Sequence, residues 1–245
     1  MKLLPIVKTL EDYDKNKRLA KLKQVLKKNN IKFKAEKYNS GENIIIGKGN
    51  ILFVAHHDTF PNSPGANDNA SAMAVLIGLA KKRKAAIVIF GEEETGCIGA
   101  KAYIDEHGLP KAVVNLEMMG RGDMMAIWPV DYQRPLLEKI RNGIRKAKIS
   151  FEEARKVPMF WADFTAFRQA GLKDTWCLTL VPSSERKLIR RLATSTLWAT
   201  FLILIGGIPE FFRHYHSHSD NSGVLTEKSL QLSLNAVISV YDELR

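Results

Sequence analysis

An α/β fold is predicted by three features of the 245-residue sequence. The expected architecture is one domain, residues 1–245, with a mixed, mainly parallel sheet and helices on both faces. First, short and fully apolar runs at Ile51–Val54, Ala85–Phe90 and Ala112–Leu116 have the length and composition of strands buried on both sides. Second, helix-favouring stretches at Ala70–Lys82 and Cys97–His107 separate these runs, the alternation that builds a parallel sheet. Third, each run ends in groups that bind protons or metals. They are His56, His57 and Asp58 after the first, Glu92, Glu93 and Glu94 after the second, and Glu117 after the third. In α/β folds ligands sit at the carboxyl edge of the sheet.

In chain order, Asp14–Lys28 carries Leu19, Leu22 and Leu26 at helical spacing. Strands are expected at Ile31–Glu36, Asn43–Ile46 and Ile51–Ala55. The loop Thr59–Asn67, rich in Pro, Asn, Ser and Gly, is expected to be non-helical. It brings Asp68 and Asn69 to the start of the helix Ala70–Lys82. After Glu117, a strand is expected at Met124–Trp128 and a helix at Tyr132–Lys146, with Pro135 in its first turn. A short helix over Asp163–Gln169, a strand over Thr175–Val181 and a last helix from Val224 complete the set. No internal repeat and no low-complexity linker is visible.

The composition excludes several classes. With 45% hydrophobic residues the chain can bury a large core. Its two cysteines, Cys97 and Cys177, have no CxxC spacing. They give neither a zinc ribbon nor a disulfide framework, and a reducing cytoplasm is the expected setting. The apolar run at the N-terminus is too short for a signal peptide.

Net charge is +11. Residues 1–50 hold twelve Lys and one Arg against five Asp and Glu, a net of +8. These lysines are not interleaved with aromatics as a nucleic-acid groove requires, so they read as a solvated helix face. The uncharged run Leu192–Ile208 is shorter than the roughly 20 residues of a membrane span and contains Thr, Ser and Gly. No membrane partner is expected. The surrounding segment, 186–213, is expected to cover a site or to contact another copy in a homo-oligomer.

Five positions could form a metal site: His56, Asp68, Glu94, Glu117 and His216. Two divalent ions can share them if one carboxylate bridges, which leaves room for water between. Any one such residue is more often structural. Convergence of acidic and imidazole groups at three strand ends, with a histidine cluster later in the chain, favours the site. His57 could replace His56, but neighbouring strand residues face opposite ways.

The motifs resemble those of the co-catalytic zinc peptidases, a family that includes bacterial leucyl aminopeptidase, glutamate carboxypeptidase and the single-zinc glutaminyl cyclase. Ala55-His56-His57-Asp58 is similar to A-H-x-D. Pro64-Gly65-Ala66-Asn67-Asp68-Asn69-Ala70-Ser71 is similar to P-G-A-x-D-x-A-S. Glu93-Glu94-Thr95-Gly96-Cys97-Ile98-Gly99-Ala100 is similar to E-E-x-G-x-x-G-S, with Ala100 for Ser. Asn115-Leu116-Glu117-Met118 is similar to N-L-D-M, with Glu for Asp. His216 to Asp220 is similar to H-[ST]-x-x-D, and Asp163 to Phe167 to the end of S-D-x-x-x-F. The resemblance covers roughly Asn43 onward. It implies ligand roles for His56, Glu94, Glu117 and His216, with Asp68 bridging. It implies catalytic roles for Glu93 as general base and for Asp58 as the carboxylate that orients His56.

The expected activity is metal-dependent hydrolysis of an N-terminal peptide bond. The expected cofactor is two divalent ions, zinc first and cobalt or manganese as substitutes, and the expected partner is a peptide substrate. The rivals are a single-zinc glutaminyl cyclase-type acyltransferase, a carboxypeptidase and, remotely, a non-catalytic nucleic-acid-binding module. Arg121-Gly122-Asp123 and the sequon at Asn69 are read as chance, and Cys97 as a small helix-start residue.

Overall fold

Asp14 starts the first long helix by accepting from the N–H groups of Asn16 and Lys17, which satisfies donors that a first helical turn leaves free. Helix α2, Lys15–Lys28, buries Leu22, Val25 and Leu26 together with Arg18. Lys17, Lys27 and Lys28 stay in solvent. The structure, a computed structural model, describes residues 1–131, 133–155, 161–192 and 209–245. Helix α1, Leu4–Leu10, precedes α2 and buries Ile6, Val7 and Leu10.

Among the described residues eight strands form one sheet: β1 Lys34–Lys37, β2 Glu42–Ile46, β3 Ile51–His56, β4 Ala86–Phe90, β5 Ala112–Glu117, β6 Met124–Trp128, β7 Phe151–Glu153 and β8 Thr175–Val181. Their spatial order is β1-β2-β4-β3-β5-β8-β6-β7. The middle of the sheet is parallel: β3 pairs with β4 and β5, and β5 with β8. β6 and β7 are also parallel, whereas β1/β2, β2/β4 and β6/β8 are antiparallel.

Alternate residues of the central strands feed opposite faces. Phe53, Ala55, Ile87, Ile89, Val114 and Leu116 join the larger core, under α1, α2, α3 (Ala72–Lys82), α5 (Pro135–Lys146) and the last helix, Glu227–Leu244. Leu52, Val54, Ala86, Val88, Phe90 and Val113 face α4 (Ile98–His107) and α6 (Phe164–Gln169). Both faces are covered, so these strands are apolar at nearly every position.

Several boundaries differ from expectation. The helix expected from Ala70 starts at Ala72, because a wide helical turn, Ala66–Ser71, precedes it and takes two residues of the supposedly non-helical loop. Asp68 and Asn69 leave helical geometry inside that turn, and the peptide between them is cis, as is Trp128–Pro129. β1 is shifted: it begins at Lys34, while Ile31 and Phe33 pack on the core. The last helix begins at Glu227, capped by Thr226 accepting from Ser229 N–H, and Val224 lies in a separate short turn. Of segment 186–213, residues Arg186–Leu192 form α7 and Glu210–Phe212 a short turn. The remainder of that segment, with nearly all of the uncharged run, lies outside the described residues. No helix among the described residues is long and apolar enough to cross a membrane.

Candidate metal centre

The register of the parallel strands decides where the site sits. His56, the last residue of β3, is paired with Phe90 of β4. The turn after β4 therefore puts Glu93 and Glu94 beside it, and β5 brings Glu117 from the other side. His56 Nε2 lies 3.1 Å from Asp68 Oδ1 and 3.4 Å from Glu117 Oε2. His216 Nε2 lies 3.4 Å from Asp68 Oδ2 and 3.0 Å from Glu94 Oε2. Asp68 thus turns one oxygen to each imidazole. The two groups of three, His56–Asp68–Glu117 and His216–Asp68–Glu94, share it. His56, Asp68 and Glu94 also bring ligand atoms within 4.8 Å of one another.

The donor set fits divalent cations. Imidazole nitrogen with carboxylate oxygen suits zinc and its neighbours. His216 Nε2 and Glu94 Oε1 are buried, and neither makes a hydrogen bond of proper geometry. Groups that converge closely without hydrogen-bonding one another are what an ion would satisfy.

The electrostatics are those of crowded carboxylates. Burial pushes Glu93 well above the usual carboxylate range. His56 acts against this, while Asp163, Glu117 and Glu94 add to it. Burial likewise raises Glu117 and Glu94. Burial disfavours a charge on His216, but the carboxylates of Asp68 and Glu94 overcome it and lift its pKa to about 9. A dication would relieve this crowding.

A model of Peptidase family M28 matches residues 37–240. The chain belongs to that family. It is 35% identical over 180 residues to aminopeptidase YwaD of Bacillus subtilis, a match covering 63% of this chain and 39% of that protein. The chain therefore spans well under half the length of that curated relative. Solved structures that share its fold include two that it matches over nearly their whole length. A leucine aminopeptidase precursor from Bacteroides thetaiotaomicron has TM-score 0.72 and 16% identity, covering 98% of this chain and 95% of the other. The glutaminyl cyclase of Porphyromonas gingivalis has TM-score 0.68 and 17% identity, covering 100% and 98%.

The residues around the M28 site explain its motifs. Asp58 accepts from the N–H groups of Glu93 and Glu94, each at 3.1 Å, and its Oδ1 lies 3.5 Å from His56 Nδ1. Asn115 donates to Glu117 Oε1 at 2.8 Å and accepts from Phe164 N–H. Asn69 donates to Leu116 O and accepts from Met118 N–H, which brackets Glu117. Gly99 lets the start of α4 lie on Gly91, because a Cβ there would meet the Gly91 carbonyl and the Asn43 amide oxygen at 2.4 and 2.5 Å.

Glu92 points elsewhere: Ser40 Oγ and Lys15 Nζ donate to it. His57 also turns away, its Nε2 2.8 Å from Glu42 O. His218 packs against Tyr13, with ring centroids 6.1 Å apart. Cys97 caps the start of α4, and burial, with Asp163 and Glu93, pushes its thiol far up, which disfavours the thiolate. Arg121 of the adhesion-like tripeptide donates to Glu210 O and to its carboxylate.

Three residues with no assigned role matter here. Asp220 accepts from Asn67 N–H and Asp68 N–H at 2.8 and 3.0 Å. It thereby ties the loop of His216 to the loop of Asp68, and its place in the final motif was the signal for it. Arg18 is fully buried and donates to Gly65 O at 2.7 Å. Burial works against its charge, while Asp68, Asp220, Asp58 and Glu94 support it. Asp163, singled out in the sequence only as part of the D-x-x-x-F match, is fully buried and neither of its oxygens is hydrogen-bonded. Burial, aided by Glu117, Asp58 and Glu94 and opposed by His56, pushes its carboxyl well above the usual range.

One cavity of about 310 Å³ opens on this centre. Glu93, Glu94 and His216 line one part, and Phe60, Trp161 and Tyr215 give it aromatic walls.

Proposed function

We propose that this chain is a metal-dependent peptidase that acts as one domain and removes residues from a free N-terminus. The observation that carries the reading is Asp68, with one oxygen toward each of two histidines, beside a buried glutamate. Two divalent ions, zinc by the donor set, would be held by His56, Asp68 and Glu117 and by His216, Asp68 and Glu94. Bound there, they would supply Lewis-acid activation of water and of the scissile carbonyl.

The chain's own residues supply the rest. Glu93 Oε2 lies 4.0 Å from His56 Nε2 at the edge of the centre. It takes the proton of the attacking water and later gives it to the leaving amine. Its position depends on Asp58, which holds the backbone of Glu93 and Glu94 together. The cavity beside Glu93 takes the side chain next to the scissile bond. Free and buried, Cys97 and Cys177 support a reducing, cytoplasmic setting.

The test compares Glu93→Gln with Glu92→Gln on peptides with free, blocked and glutaminyl N-termini. Glu93→Gln should lose on the order of 10²–10⁴ in kcat and keep its metal, while Glu92→Gln stays near native. Near-native turnover by Glu93→Gln at saturating metal overturns the assignment. Turnover of glutaminyl peptides alone, with cyclisation, moves the chain to the acyltransferase rival.

A further inference from the structure

His216 is held unlike the other candidate ligands. His56, Asp68, Glu94 and Glu117 have side chains at most 7% exposed, whereas that of His216 is 24% exposed. His216 lies on an irregular loop with φ 53°, a left-handed conformation. Ligating histidines are usually oriented by a hydrogen bond at the other ring nitrogen. His56 has Asp58 in that place. Among the described residues His216 Nδ1 has no such partner.

Aromatic rings take over that task. The Phe60 ring is stacked on His216 at 3.9 Å between centroids and 5° between planes. The Tyr215 ring is stacked on it at 3.6 Å and 21°. Two rings that each lie this close and parallel to a third cannot share one of its faces, so the imidazole is sandwiched. Phe60 comes from the loop between Asp58 and Asp68 and belongs to no core cluster. It is 37% exposed, and it also lines the cavity beside Glu94. Outside the core clusters, the Phe60 ring is placed by its stack on a candidate ligand and by the cavity wall.

We propose that Phe60 is a positioning residue for His216, and that with Tyr215 it sets the affinity of the ion held by His216, Asp68 and Glu94. The proposal rests on the two-ion reading above. The ion at His56, Asp68 and Glu117 does not depend on Phe60, since Asp58 orients that histidine.

The experiment is a zinc titration of metal-free protein against a chromophoric chelator, for the wild type, Phe60→Leu and Phe60→Tyr, with the thermal midpoint of each metal-free form. Losing an orienting partner of a ligand costs about 10–100-fold in metal affinity. Phe60→Leu should bind the first zinc as the wild type does and the second about 10–100-fold more weakly, with an unchanged metal-free midpoint. Phe60→Tyr keeps the stack and should restore the second zinc. The proposal is overturned if Phe60→Leu binds both ions at wild-type affinity, if it weakens both equally, or if Phe60→Tyr fails to restore the second. A wild type that binds a single zinc refutes the two-ion reading itself, and this result is distinct because it appears before any substitution is made.

Discussion

Asp58 serves three partners: its carboxylate accepts from the N–H groups of Glu93 and Glu94, and its backbone carbonyl lies 3.2 Å from His56 Nδ1 with the carboxylate 3.5 Å away. Burial opposes its charge, yet the hydrogen bond to His56, the charges of His56 and His57 and the Glu93 N–H hold its pKa at about 2. It therefore stays ionised throughout the neutral range. An amide in its place can satisfy only one of the two N–H groups and turns its NH₂ toward the other. Asp58→Asn should cost about 1–3 kcal/mol of stability in the metal-free protein, along with weaker metal binding and lower kcat. Denaturant unfolding measures the first part, and an unchanged midpoint would contradict the role. The candidate ligands His56, Asp68, Glu94 and Glu117 were legible because each sits at a fixed offset from a strand end or a glycine, and His216 through its spacing to Asp220. Gly96 and Gly99 set the register that separates Glu93 from Glu92, and the carboxylate of Glu92 indeed bonds to Ser40 and Lys15. Arg18 was not legible. In a lysine-rich helix one arginine reads as another solvated cation, and only the fold puts it beneath the ligand loop.

Elements with long apolar runs were readable, because burial on both faces leaves little freedom in residue type. β4, β6 and β8 fall within a residue of their expected bounds. Short elements were not readable. α1 has seven residues and β7 three, too few for a period to show. The turn Ala66–Ser71 was hidden for another reason. Its shape follows from side chains bonding across the sheet edge, such as Asn69 to Leu116 O and Asn67 to Gly120 N–H, and no local propensity encodes those bonds. Packing between elements gives a sharper expectation at Gly143 of α5. A Cβ there would lie 2.5 Å from Val240 Cα and 2.7 Å from Val240 N on the last helix. Alanine would gain up to about 1 kcal/mol in helix propensity, but the clash with backbone costs about 1–3 kcal/mol. Gly143→Ala should therefore lower the thermal midpoint, and a raised midpoint would show that the helix pair can separate freely.

At the scale of the whole molecule, the parallel centre of the sheet gathers onto one edge charges that are far apart in sequence. This crowding makes metal and protons competitors. With its pKa at about 9 in the metal-free protein, His216 carries a proton at pH 7 that a bound ion must expel. Metal affinity should fall as pH falls, and zinc loading at pH 7 should release protons. Calorimetry in two buffers of different ionisation enthalpy counts them, and a count of zero would remove His216 from the ligand set.

The tie from Asp220 to the backbone of Asn67 and Asp68 also has a bearing on timing. His56, Asp68, Glu94 and Glu117 all leave the ribosome long before His216 and the carboxylate that braces the Asp68 loop. A growing chain can thus fold much of its sheet while the centre still lacks its last imidazole and its brace. A centre built in this order stays incomplete beside other nascent chains until residues 216–220 have been made.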